Sequence, residues 1–162
     1  MLSKTMQDAL NRHLNAEMYS SYLYLSMAAH FHAENLPGMA HWMGLQAKEE
    51  AAHAQQFFSY IAERGGRVLL SAIEAPATQW DSPLAAFEAA LEHDRLVSGR
   101  IHGLMDQALA EKDHATAIFL QWFVTEQVEE EAHAEDIVHK LRMVGGSAGS
   151  LLMIDHQLAK RA

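Results

Sequence analysis

Between Arg67 and Asp81 the chain reads Arg67-Val68-Leu69-Leu70-Ser71-Ala72-Ile73-Glu74-Ala75-Pro76-Ala77-Thr78-Gln79-Trp80-Asp81. Its apolar residues follow no helical period, so the stretch is expected to be a long ordered connection. Gly65-Gly66 stops a helix on one side of it, and Ser82-Pro83 starts another on the other side. Outward from there, a second helix runs back from Arg64 to Asn35-Leu36-Pro37-Gly38, where Asn35 is expected to act as a cap and Pro37 to sit in the first turn. Before it, Thr5 to Ala33 contains neither Gly nor Pro and reads as a first helix. Downstream, a third helix reaches about Glu111, a tight turn follows near Lys112-Asp113, and a fourth helix ends before Gly145-Gly146. A short amphipathic tail from Leu151 to Leu158 is expected as a fifth. The connections run short, long, short. Two antiparallel hairpins joined by a crossover make an all-α four-helix bundle, with a long crossover between helices 2 and 3 and a short C-terminal fifth helix. The whole chain, 1–162, is expected to be one domain.

Composition narrows the partners. Hydrophobic residues make up 49% of the chain, enough for a sizeable core. The 21 Asp and Glu outnumber the 12 Lys and Arg, for a formal charge of -9. Such a chain repels phosphate backbones, so nucleic acid is excluded as a partner and small cations are favoured. There is no cysteine, which removes disulfides, thiolate zinc sites and iron–sulfur clusters. The N-terminus turns polar too early for a signal peptide, and no apolar run has the length of a membrane span. A soluble cytoplasmic protein with no membrane partner is expected.

Each long helix carries a packing seam whose positions alternate in steps of four and three. The first gives Leu10, Leu14, Glu17, Ser21, Tyr24, Ala28 and Phe31. The second gives Met39, Met43, Gln46, Glu50, His53, Phe57 and Tyr60. The third gives Phe87, Ala90, Asp94, Val97, Ile101, Leu104 and Ala108. The fourth gives Leu120, Phe123, Gln127, Glu130, Ala134, Ile137 and Leu141. All four are apolar at both ends and polar in the middle. An unpaired buried carboxylate costs several kcal/mol, and no Lys or Arg shares these seams. A single interruption reads as a solvated edge or a salt bridge. Four at one level call for an external positive charge, and a bound cation is the simplest source.

Spacing supports that level. From Glu17 to Glu50 is 33 residues and to His53 is 36; from Asp94 to Gln127 is again 33, and to Glu130 again 36. Residues equidistant from a hairpin turn face each other, so both hairpins place these groups at one height. Glu50 and His53, three apart, share a helix face and can grip metal together. Glu130 and His133 form a rival Glu-x-x-His pair, but His133 lies on the mostly polar phase of Phe119, Trp122, Glu126, Glu129, Asp136 and Lys140 and is assigned to the side of the helix. Oxygen and imidazole donors without thiolate suit iron or manganese, with zinc also able to bind. Tyr24, seven residues after Glu17, lies on the same face; a core tyrosine and a hydrogen-bonding or redox role near metal both remain open.

The segments Leu14 to Ser21, Glu49-Glu50-Ala51-Ala52-His53 and Phe119 to Glu131 resemble the bacterial non-haem ferritins, and the resemblance covers essentially the whole chain. It implies an iron-storage subunit that oxidises Fe(II) with O2 or H2O2 at a di-iron ferroxidase centre. Such subunits keep ferric oxyhydroxide inside a homo-oligomeric shell of twenty-four. It implies that Glu17, Glu50 and His53 hold one iron, with Glu50 bridging, and that Asp94 and Glu130 hold the second, with Gln127 beside them. It further implies that Glu49, Glu126, Glu129 and Glu130 form a third, weaker iron site and that Tyr24 stands next to the centre. Asp94 is one methylene shorter than the family's usual glutamate, which leaves open direct ligation or ligation through water. Ala51 stands where haem-binding relatives carry methionine, so no haem site is expected.

Other classes fit less well. A bundle without chemistry leaves the carboxylates uncompensated. A di-iron oxidase or oxygenase acting on an organic substrate or peroxide is the alternative carried forward. A rubrerythrin-like reductase would bring a cysteine-bound iron module, which this chain lacks. A DNA-protecting mini-ferritin would place its ligands between subunits.

Overall fold

The computed structural model describes every residue from Met1 to Ala162. It contains five helices and no strand: α1 (Lys4–Ala33), α2 (Pro37–Glu63), α3 (Pro83–Ala110), α4 (His114–Val144) and α5 (Ala148–Leu158). The expected ends hold to within a residue or two, except that α5 starts three residues earlier. No helix is long and apolar enough to cross a membrane.

Local chemistry accounts for the ends. Ser3, Ser82, Asp113 and Ser147 accept the first free backbone N–H groups of α1, α3, α4 and α5. Three helices end alike. After α1 the N–H of Leu36 donates to Phe31 O at 2.9 Å; after α2, Gly66 donates to Ile61 O at 2.9 Å; after α3, Asp113 donates to Ala108 O at 2.8 Å. Each of these closures needs one left-handed residue, supplied by Asn35 (φ 57°), Gly65 (φ 71°) and Lys112 (φ 56°). This corrects the reading of Asn35, which ends α1 rather than capping α2. The N-cap position of α2 is Leu36, whose side chain has nothing to offer. The cap comes instead from the far end of the chain: Met39 N donates to Asp155 Oδ1 of α5 at 2.8 Å. Gly38 makes the approach possible, because a Cβ there would lie 1.8 Å from Asp155 O.

The helices pair as α1 with α2 and α3 with α4, and α1 also lies against α3. The 67–81 crossover has neither helix nor ladder to satisfy its backbone, so α1 does so. Gln7 Oε1 accepts from Arg67 N (2.9 Å), and Asn11 accepts from Leu69 N (2.8 Å) while donating to Arg67 O (3.0 Å). Asn15 donates to Ser71 O (3.3 Å) and Ala72 O (3.1 Å), and Ser26 donates to Ala77 O (2.6 Å). Steps of four along α1 put Gln7, Asn11 and Asn15 on one stripe, a polar rail for an irregular strap.

The core is split. One apolar cluster includes Leu23, Met27, Phe31, Met43, Ala47, Phe87, Leu91, Ala134 and Ile137; the other includes Leu10, Leu14, Phe57, Val97, Ile101, Leu120 and Phe123. Every long helix passes from one cluster to the other through a polar residue of its seam: Glu17, Glu50, Asp94, or Gln127 with Glu130. The two halves supply the hydrophobic drive, and the polar layer sits between them.

A candidate dinuclear metal centre

Glu17, Gln46, Glu50, His53, Asp94, Gln127 and Glu130 are all buried. Their donor atoms form two overlapping groups, Glu17 with Glu50 and His53, and Glu50 with Asp94 and Glu130, each with its atoms within 4.8 Å of one another. Glu50 belongs to both. A third group, His53 with Glu126 and Glu130, extends the array outward between α2 and α4. The shorter Asp94 therefore still reaches the layer.

Positions are set by neighbours. His53 Nδ1 lies 3.3 Å from Glu50 Oε2 and 4.0 Å from Glu17 Oε2, and the ring is held edge-on against Trp122 and Phe123. Tyr24 O–H donates to Asp94 Oδ1 from the opposite hairpin. Gln46 Nε2 donates to Glu130 Oε2, and to Glu50 Oε1 at 3.3 Å. Gln127 turns its amide nitrogen toward α3, donating to the Asp94 carbonyl (3.0 Å) and to Ser98 Oγ (3.1 Å), so it braces α3 against α4. Glu49 and Glu129 are exposed, Glu126 is half-buried and His133 is exposed, as its polar phase requires.

No Lys or Arg forms an ion pair with Glu17, Glu50, Asp94 or Glu130. Burial and mutual repulsion act on their acidity. Desolvation, together with the charges of Glu17 and Glu130, pushes Glu50 well above the ordinary carboxylate range. Burial raises Asp94 to about 7, and burial with the nearby Asp94 raises Glu130 to about 8. Burial is the largest influence on Glu17 and pushes it up, but the hydrogen bond from His13 Nε2 at 2.7 Å, the His13 charge, a hydrogen bond with Glu50 and the His53 charge together outweigh it and hold this group below its usual value. Glu17 is thus the most acidic carboxylate of the layer, and a cation bound there would draw protons from the others. Its second oxygen, Oε2, is the one buried side-chain polar atom without a hydrogen-bond partner. An orphaned carboxylate oxygen beside an imidazole and a second carboxylate has the chemistry of a metal donor.

Three contributors escaped sequence reading. Gln46 stood on the α2 seam, one turn before Glu50, and its polar side chain was the available signal. His13 precedes Glu17 by four residues, a spacing that brings two side chains together on a helix. Arg161 gave no signal, since only the docking of the C-terminal segment brings it to Gln46 and Glu49.

The fold and this layer define a class: four-helix bundles with a long crossover and a layer of carboxylate and imidazole side chains turned inward, which could hold metal. Residues 7–144 match the model of the Ferritin-like domain family, and the chain belongs to that family. It is 46% identical over 161 residues to a protein named bacterial non-heme ferritin from Bacteroides fragilis, covering 99% of this chain and 100% of that one. It is 40% identical to the protein of that name from Staphylococcus saprophyticus, covering 100% of this chain and 97% of the relative. It superposes with a TM-score of 0.99, at 53% identity and full coverage of both chains, on a structure described as a novel open pore ferritin from the hyperthermophilic archaeon Archaeoglobus fulgidus.

Proposed function

We propose that this chain is an iron-storage ferritin subunit that oxidises Fe(II) at the Glu17–Glu130 layer and shares a hollow shell of twenty-four copies with the product. The observation that carries the reading is the buried, uncompensated donor array with Glu50 common to both groups and Glu17 Oε2 unpartnered. Two Fe(II) ions are the substrate, one held by Glu17, Glu50 and His53, the other by Glu50, Asp94 and Glu130. Each gives one electron, so a pair reduces O2 to hydrogen peroxide with uptake of two protons, or hydrogen peroxide to two waters. Tyr24 holds Asp94 in place by hydrogen bond, which suits a carboxylate one methylene short. Haem has no part in this reading, because Ala51 offers no axial ligand.

Support for assembly comes from the surface. Leu25, Leu70, Met143, Leu152 and Met153 are each more than half exposed, an apolar load that copies of the chain would cover. A ferritin needs that cover to enclose mineral, and the cytoplasm is where this reading places it.

The direct test is Glu50→Ala with stopped-flow monitoring of Fe(II) oxidation. Loss of both groups at once is expected to abolish the fast phase, at least a hundredfold, while the helix content is kept. A variant that oxidises iron at the wild-type rate rules the site out.

A further inference from the structure

Glu49, Glu126, Glu129 and Glu130 line a cavity of about 570 Å3 between α2, α4 and the C-terminal segment, and Arg161 lines it with them. The guanidinium has a built seat there. Its Nη2 donates to Glu49 Oε2 at 2.6 Å, and its Nη1 donates to Gln46 Oε1 at 3.0 Å and to Trp42 O at 3.3 Å. The group lies 4.5 Å over the Trp42 ring, and its side chain is only 20% exposed. The backbone is pinned as well, with His41 Nε2 2.8 Å from Arg161 O. Lys140 and Lys160 also line the cavity, and Lys140 is paired with Asp136 at 2.6 Å.

Two consequences follow from this seat. Gln46 accepts from Arg161 through Oε1, so its amide nitrogen has to face the layer, where it donates to Glu50 and Glu130. Glu49, one residue before the shared ligand Glu50, is neutralised by a cation belonging to the protein itself.

We propose that Arg161 is a positioning residue which, by seating on Trp42, Gln46 and Glu49, withholds Glu49 from metal. In this chain a cation at Glu49 and Arg161 in its seat exclude one another. The α2–α4 cavity then takes a further ion through Glu49 only when the C-terminal segment lets go. The positive charge beside Glu49 is what keeps a metal off it, and the contacts to Trp42 and Gln46 hold that charge in place. The meaning of this arrangement rests on the dinuclear reading above, but its test does not.

Calorimetric titration of the assembled protein with Co(II) under argon decides it. In Arg161→Ala an additional binding event is expected, at least tenfold tighter than any weak event of the wild type, and Glu49→Gln in that background is expected to remove it. Arg161→Lys, which keeps the charge beside Glu49, is expected to retain the wild-type isotherm. The proposal is overturned if Arg161→Ala titrates like the wild type, if Arg161→Lys also gains the event, or if Glu49→Gln alone already costs the wild type an ion. The dinuclear reading fails separately, in the wild type, if no two tight events are lost on Glu50→Gln. That outcome leaves the difference between Arg161→Ala and wild type to be read by itself.

Discussion

Glu130 illustrates what a single buried carboxyl does to this protein. Its acidity is shifted from 4.5 to about 8 by burial and by Asp94, and Asp94 itself is shifted from 3.8 to about 7 by burial. A group raised in the folded state stabilises it fully below the unfolded value, and that stability is lost as pH climbs through the folded value. His93 works in the other direction. Burial lowers it from 6.5 to about 4, so it costs stability only below pH 6.5. Above that pH the carboxyls act alone, and the metal-free protein is expected to lose stability between about pH 6.5 and 8.5. Glu130→Gln keeps the shape and the hydrogen bond from Gln46 but cannot ionise. It is expected to stabilise the metal-free protein by roughly 2–4 kcal/mol at pH 8.5 and by little at pH 5. Chemical denaturation at the two pH values checks this; an equal effect at both would show that Glu130 is already ionised in the fold. Glu17, Glu50, Asp94 and Glu130 were legible in the sequence because a charge at a seam position is a one-dimensional signal. The proton each one holds was not, since it depends on neighbours brought in from other helices.

At the scale of elements, α5 is a tertiary cap as well as a tail. The first turn of α2 has Leu36 at its N-cap and lacks an acidic residue, so Asp155 supplies both the hydrogen bond to Met39 N and a negative charge at that end of the helix. Asp155→Ala is expected to cost about 1–2 kcal/mol and to raise amide exchange across 148–158 as α5 loosens. Gly38→Ala should loosen the same helix by another route, because the added methyl and the Asp155 carbonyl cannot share the space. If exchange in α5 stays at the wild-type level in both variants, the cap is not what holds it. The five helices were legible from Gly, Pro and the apolar period. The α2 cap was not, because its two partners are 116 residues apart. The crossover lay between these cases: its irregularity was plain, whereas the Gln7, Asn11 and Asn15 rail under it was a polar stripe on a helix otherwise read for its apolar face.

For the whole molecule, the two readings of the metal layer differ in what surrounds it. A storage protein surrounds its centres with a closed surface and keeps what it oxidises; an oxidase of an organic substrate turns over as a small soluble unit. Sizing followed by aerobic Fe(II) addition is expected to give a large shell that retains many ions per subunit as ferric mineral. A monomer or dimer that stops at two ions per chain would leave the oxidase reading in place of storage. The sequence by itself determined the all-α bundle, its short–long–short connectivity and the height at which the polar residues interrupt the core, because periodicity and distance from a turn are properties of one helix or one hairpin. Tertiary structure alone decided that Glu17 keeps one oxygen unpaired, that Gln46 faces Glu50 and Glu130, that Asp155 caps α2, and that Arg161 sits on Glu49. Each of these joins residues from separate helices or from the chain's far end, and only packing sets the distances on which hydrogen bonding and acidity depend.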